Sequence, residues 1–233
     1  MEPKTEPEKR TWSGGVKLTA PIVLGYIPVG FAYGVLAREA GISSVNTVLM
    51  SLLVFAGSAQ FIAAGLIGAG ASPFSVILTT FVVNLRHLLM AAALVPFLRQ
   101  WRRRELSLFG FQLTDETFAL HSSRLYAVDP DKSEMFATNM TAQTSWVLGT
   151  MLGVSASTLI TDVRPIGLDF ALPAMFIALL VVQFKSRTHV LVAVAAGCVS
   201  VFLQHAGMEQ FHVIAPTVAA ATLGVALQSW TRS

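Results

Sequence analysis

Charge is what this chain has least of. Asp, Glu, Lys and Arg make up 12% of its 233 residues, where a soluble domain carries about a quarter. The few charges gather in the N-terminal tail, in residues 99–105 and in short gaps between apolar runs. So little charge cannot clothe a globular surface, and a mean hydropathy of +0.63 points to lipid as the main solvent. There is a single cysteine, Cys198, which excludes an intrachain disulfide and leaves the redox compartment unread. Within VAAGCVSV it reads as a small packing residue. Catalytic signatures are missing as well: no Walker A loop, HExxH, CxxC or GxSxG occurs, so no enzyme activity, metal or cofactor is expected. His121–Ser122–Ser123 lies in a polar linker without an oxyanion-hole pattern. The pI near 9.3 comes without any aromatic-basic motif. The basic excess therefore reads as charge facing the cytoplasm, and nucleic acid is not expected as a partner.

What is there is a series of long apolar runs. After a mobile polar tail (1–16) without the apolar core of a cleaved leader, runs cover about 18–37, 45–68 and 73–98. Residues 106–120, LSLFGFQLTDETFAL, are too short for a span of about 20 residues and carry Asp115 and Glu116, so a re-entrant or interfacial segment is expected. Four more runs follow, about 135–160, 166–184, 190–204 and 211–230. The expected fold class is all-α: a polytopic transmembrane helix bundle of about seven spans plus that short segment, with interrupted helices. Residues 17–233 are expected to form one transmembrane domain in the cell membrane. Arg99, Arg102, Arg103 and Arg104 form the strongest basic cluster, and Lys185 with Arg187 another; both are expected on the cytoplasmic side. The basic tail (Lys4, Lys9, Arg10, Lys17) prefers the same side, yet three crossings before Arg99 would separate the two. One of the first three runs is therefore expected to enter and turn back, with VFAGSAQF the candidate. Gly30 and Gly34 in the first run resemble Gly149 and Gly153 in the fourth, a weak sign of an internal repeat.

Several residues do not belong in lipid. Arg86 and His87 fall near the middle of the third run, where an arginine costs about 2.5–3.5 kcal/mol. Thr80, Asn84 and His87 share one helical face, while Arg86 points about 200° from Asn84. Either these groups serve two interfaces or the helix unwinds near Asn84. In the second run Gly57, Ser58 and Gln60 form a helix break whose freed amides could hold a carboxylate, and Pro28 with its neighbouring glycines should kink the first. The candidate substrate-binding residues are thus Gly57, Ser58, Gln60, Asn84 and Arg86, and the candidate ion-coupling residues His87, Asp115, Glu116 and Asp169. The plainer readings are helix packing for the small residues, an ion pair of Arg86 with Asp115, Glu116 or Asp169, and a hydrogen-bonded packing role for His87.

GYIPVGFAYG (25–34), FAGSAQF (55–61), NLRHLLM (84–90), TDETFAL (114–120) and GLDFALPAMFIALL (167–180) together resemble the AzlC-type permeases, the large subunits of two-component branched-chain amino acid exporters. The likeness covers about residues 15–230 in order. It implies export of leucine, isoleucine, valine or similar solutes, driven by ion gradients, with a small hydrophobic subunit of the AzlD type as partner. It implies no site residues. The alternative from another class is a non-transporting membrane assembly or sensor subunit.

Overall fold

The computed structural model describes residues 11–125, 131–160 and 187–206, with scattered positions between 167 and 224. It divides into two compact units, Met1–Leu172 and Pro173–Ser233. All regular structure among the described residues is helical. In the first unit a single residue, Thr19, joins α1 (Trp12–Leu18) to α2 (Ala20–Glu39). They are followed by α3 (Ser44–Leu53), α4 (Gly57–Gly68) and α5 (Pro73–Leu94), the last continued by a 3-10 turn, Val95–Phe97. Then come α6 (Arg103–Phe111), α7 (Asp115–Leu125) and α8 (Lys132–Ala156). The second unit contributes α9 (Arg187–His205), which carries the exposed Cys198. The expected runs at 166–184 and 211–230 lie mostly outside the described residues, and Asp169 and Lys185 wholly so.

Local chemistry explains several of the boundaries. Oxygen-bearing caps start α1, α3, α5 and α8: Thr11, Ser43, Ser72 and Asp131 each accept a hydrogen bond from the amide three residues on. Pro73 stands at the first position of α5, where its missing N–H costs nothing. Pro28 stays inside α2. Among the described residues two helices are long and apolar enough to cross a membrane, Ala20–Glu39 and Pro73–Phe97. With 25 residues α8 has the length, but its inward face carries Thr138, Asn139, Ser145 and Thr150, all buried. The run 45–68 is not one helix. It breaks at Val54–Ala56, where Phe55 holds φ +45, a backbone region that costs a bulky side chain energy.

The core of the first unit is the packing of α1 and α2 along α8. A Cβ on Gly30 would sit 2.8 Å from the Trp146 carbonyl oxygen, and one on Gly149 2.5 Å from that of Ile27. Gly34 and Gly153 are closer still to the facing backbone, and Gly15 lies on Glu134. The Thr19 hydroxyl reaches the Thr138 carbonyl, 119 residues along the chain. Gly30 faces Gly149 and Gly34 faces Gly153 at that same separation, so α2 and α8 run parallel and in register. The two glycine pairs that suggested a repeat are in fact two sides of one contact, of the close-approach kind that small residues permit. Trp146 anchors the contact, with Tyr26, Tyr33 and Phe61 around its ring. A second cluster forms where α5 ends: Leu94, Leu98, Trp101, Phe109, Leu125 and Met135.

Both pairs of short helices fold back on themselves. Four residues separate the end of α2 from the start of α3, and α4 returns to the same place, Gly68 lying against Ala40. α6 begins beside the start of α8, where Glu105 pairs with Lys132 at 2.7 Å. α7 ends there too, Arg124 pairing with Glu134 at 2.9 Å. The break between α6 and α7, at Gln112–Thr114, reaches up to Gln143 and Tyr26. The 106–120 segment is thus the inner part of a helical hairpin.

Candidate functional site

Arg86 is the centre of the site. It stands in the middle of α5, which runs unbroken through Asn84, so the helix does not unwind there and Asn84 and Arg86 point to different sides. On one side the Arg86 guanidinium donates to the Ser58 hydroxyl in the first turn of α4. On the other it pairs with Asp115, the first residue of α7, at 2.9 Å. Two helix N-termini therefore meet at one arginine. Of the two candidate partners among the described residues, Asp115 and Glu116, it is Asp115 that pairs with Arg86. The pair is about one quarter exposed on each side, so it is neither dry nor free in solvent.

The two N-termini differ in how they are finished. α7 is capped by Thr114, whose hydroxyl accepts from the Thr117 amide, while the Thr117 hydroxyl accepts from the Thr114 amide at 2.9 Å. Its first turn carries Asp115 and Glu116, the charge a helix N-terminus favours. Glu116 accepts a 2.6 Å hydrogen bond from the Tyr26 hydroxyl, which also lies 2.7 Å from the Thr114 hydroxyl. α4 has no such arrangement. Its cap is Ala56, without a side-chain hydrogen bond, so the amides of Gly57, Ser58 and Ala59 have no acceptor among the described residues. These are the orphan donors that a helix start leaves for a ligand or an anion. Two buried side-chain atoms on α5 are also without a hydrogen-bond partner among the described residues, Arg86 Nε and Asn84 Oδ1.

The other expected residues have different surroundings. Gln60 is fully buried and taken up at both ends: its Oε1 accepts from Trp146 Nε1 at 3.1 Å, and its Nε2 donates to Ser51 at 3.0 Å. Ser51 meets Thr150 at 2.7 Å, so this chain ties the α3–α4 hairpin to α8. Gly57 faces the edge of the Trp146 ring, 3.0 Å from where a Cβ would be. The His87 Nδ1–H points at the Asn84 carbonyl, 3.2 Å away on its own helix. Tyr26 is the residue that sequence reasoning missed. It sat in a Gly- and Pro-rich run that reads as a kink, and nothing in that run announced a partner 90 residues away.

A second polar line runs down α8 on the hairpin side. His121 Nε2 lies 2.8 Å from Asn139 Oδ1, and Gln112 Nε2 donates to Gln143 Oε1 at 2.8 Å. Asn139 Nδ2 and Gln112 Oε1 are buried without hydrogen-bond partners among the described residues. No group of three or more His, Cys, Asp or Glu residues able to hold a metal occurs among the described residues.

A helical bundle that turns apolar side chains outward along α5, among them Phe74, Phe81, Leu88 and Leu89, while holding an arginine and two acids between its helices, is built for a bilayer. This is a membrane protein, and it belongs to the AzlC family: the family model described as "AzlC protein" matches residues 21–160. It is 38% identical to an "Uncharacterized membrane protein" of Archaeoglobus fulgidus, over 93% of both chains. It is 32% identical to "Inner membrane protein YgaZ" of Escherichia coli, over 83% of this chain and 81% of that one. It is 30% identical to "Branched-chain amino acid transport protein AzlC" of Bacillus subtilis, over 73% of this chain and 67% of the relative. No solved structure matches.

Proposed function

We propose that the chain is a multi-pass permease subunit of the inner membrane that exports branched-chain amino acids by ion-gradient-driven transport, together with a small AzlD-type membrane subunit. Residues 17–233 act as one permease domain. The observation that carries the reading is the Arg86–Asp115 pair between the N-termini of α4 and α7. A zwitterionic amino acid matches it charge for charge. Its carboxylate takes the Arg86 guanidinium and the unpaired amides of Gly57, Ser58 and Ala59, and its ammonium takes Asp115 or Glu116. Substrate binding then exchanges one internal ion pair for two external ones, so no net charge is left unpaired in a medium of low dielectric. Phe55, buried at the helix break, supplies apolar wall for an aliphatic side chain. His87, Asp115, Glu116 and Asp169 are the proposed coupling groups. Gln60, whose bonds are internal, holds the hairpin that carries Gly57 and Ser58.

The homologue named for branched-chain amino acid transport supports the substrate class. The test is uptake of labelled leucine into inverted membrane vesicles containing the chain and its partner. Wild type should accumulate leucine under an imposed gradient, and Arg86→Ala and Asp115→Asn should each abolish most of it. Unchanged uptake in both variants refutes the site. No uptake by wild type with any branched-chain amino acid refutes the transport reading in favour of an assembly or sensor subunit.

A further inference from the structure

We infer that α2–α4 and α5–α7 are one design used twice in opposite senses: a through-spanning helix followed by a re-entrant hairpin, the two hairpins entering from opposite sides of the membrane with their tips meeting at Arg86. The lengths correspond element by element. A 20-residue α2 precedes helices of 10 and 12 residues. A 22-residue α5 precedes helices of 9 and 11. At about 1.5 Å per residue the long helices reach about 30 Å, a bilayer core, and the short ones about half of it.

Contacts fix the senses. α2 and α8 run parallel, Gly15 on Glu134 at one end and Gly34 on Gly153 towards the other. The α3–α4 hairpin starts and finishes at the C-terminal end of α2, where Gly68 meets Ala40. Its tip lies deep, Phe55 beside Tyr26 and Gly57 beside Trp146. α5 then travels the other way, because Leu94 at its end and Leu98 and Trp101 just beyond it share a cluster with Met135 at the start of α8. The α6–α7 hairpin starts and finishes at that same end, through Glu105–Lys132 and Arg124–Glu134. Its tip reaches inward to Gln143 and Tyr26. Both tips arrive at mid-depth on Arg86, at Ser58 and Asp115.

Two consequences follow. Residues 12–156 contribute three through-spanning helices and two re-entrant hairpins, in place of four spans and one partial segment. Arg99, Arg102, Arg103 and Arg104 then lie on the same side as Lys17 and the start of α2, and the positive-inside bias of the tail and that of the cluster agree. Inverted pairs of this kind let a central site face one side at a time. Resting on the transport reading, the α6–α7 hairpin is the gate towards the side of the basic cluster, held shut by Tyr26 on Glu116 and Thr114. The α3–α4 hairpin is the gate to the other side, held by Gln60, Ser51 and Thr150.

The arrangement is tested in a Cys198→Ser background by single cysteines at Ser13, Gln100, Ser123, Glu39, Ala69 and Thr158, all exposed positions. They are labelled with a membrane-impermeant maleimide in right-side-out and inverted vesicles, and total thiol is counted after denaturation. Ser13, Gln100 and Ser123 should label from one face, and Glu39, Ala69 and Thr158 from the other. Labelling of Ala69 from the face of Ser13 means that α3–α4 crosses and overturns the inference, as does labelling of Ser123 from the face opposite Gln100. For the gates, Ser58→Cys is labelled with and without Tyr26→Phe, which removes one hydroxyl. Labelling should rise about fivefold from the Ser13 face only. An equal rise from both faces, or no rise, overturns the gate assignment. The labelling pattern does not depend on transport, so a failure to transport leucine leaves the arrangement standing.

Discussion

The contact between α2 and α8 makes a sharp demand on four glycines. A Cβ added at Gly30 would stand 2.8 Å from the Trp146 carbonyl oxygen and 3.3 Å from the Thr150 amide nitrogen. Restoring ordinary van der Waals distance parts the two backbones by roughly 0.6 Å. At Gly34 the clash is with the Thr150 carbonyl and the Val154 amide, and is worse. A gap of that size forfeits a quarter to a half of the dispersion energy of each lining contact. It also loosens Trp146, whose ring packs on Tyr26 and Tyr33. Overpacking of this kind costs about 1–3 kcal/mol per site, or roughly 2–12 °C in melting temperature for a chain of this size. Gly25, on the same helix with nothing within 4 Å of its would-be Cβ, is the control. Gly25→Ala should melt at or slightly above wild type, because alanine favours the helix by about 0.5–1 kcal/mol. Thermal unfolding of the purified protein in detergent, followed by monodisperse peak height, compares Gly30→Ala, Gly34→Ala and Gly153→Ala with Gly25→Ala. If the three contact variants melt with wild type, or if Gly25→Ala falls as far as they do, the parallel glycine contact is refuted.

Trp146→Phe keeps most of the ring but removes the N–H that Gln60 Oε1 accepts; an acceptor left unsatisfied at full burial should cost about 1–3 kcal/mol, read in the same melt. Gln60→Leu in that background should restore part of the loss. Glu105, at the basic start of α6, has its carboxyl held below the usual value of about 4.5 by Lys132 and by the Arg102 amide. A lowered value in the folded chain stabilises it above the unfolded value, and the benefit disappears as pH falls through the lowered one. Glu105→Gln should therefore melt below wild type at neutral pH, with the difference shrinking as pH falls below about 4.5. A difference that persists or grows in acid refutes the Glu105–Lys132 contact as its source.

Much of the fold was legible because lipid imposes a one-dimensional rule. Apolar length gave α2, α5 and α8 to within a few residues, and Arg86 stood out because an arginine at the centre of an apolar run must have a partner. The break in 45–68 was legible at Gly57, and the short 106–120 segment at its length. What could not be read was which faces meet. Helical periodicity says which residues of one helix share a side, but it carries no information on the neighbour opposite. So Gly30 and Gly149 read as echoes of each other when they are in contact, Gln60 read as a ligand when Trp146 and Ser51 take both its ends, and Tyr26 was not read at all.

The sequence by itself determined that this chain lives in a membrane, where its helices begin, and which charged groups need partners, since each follows from the cost of exposing polar atoms to hydrocarbon. Only the tertiary structure decided that Arg86 pairs with Asp115, that two uneven helix N-termini converge on it, and that both short-helix pairs turn back. Those are distances between elements far apart in the chain, set by the parallel seating of α2 on α8 and by the hairpins packed against them.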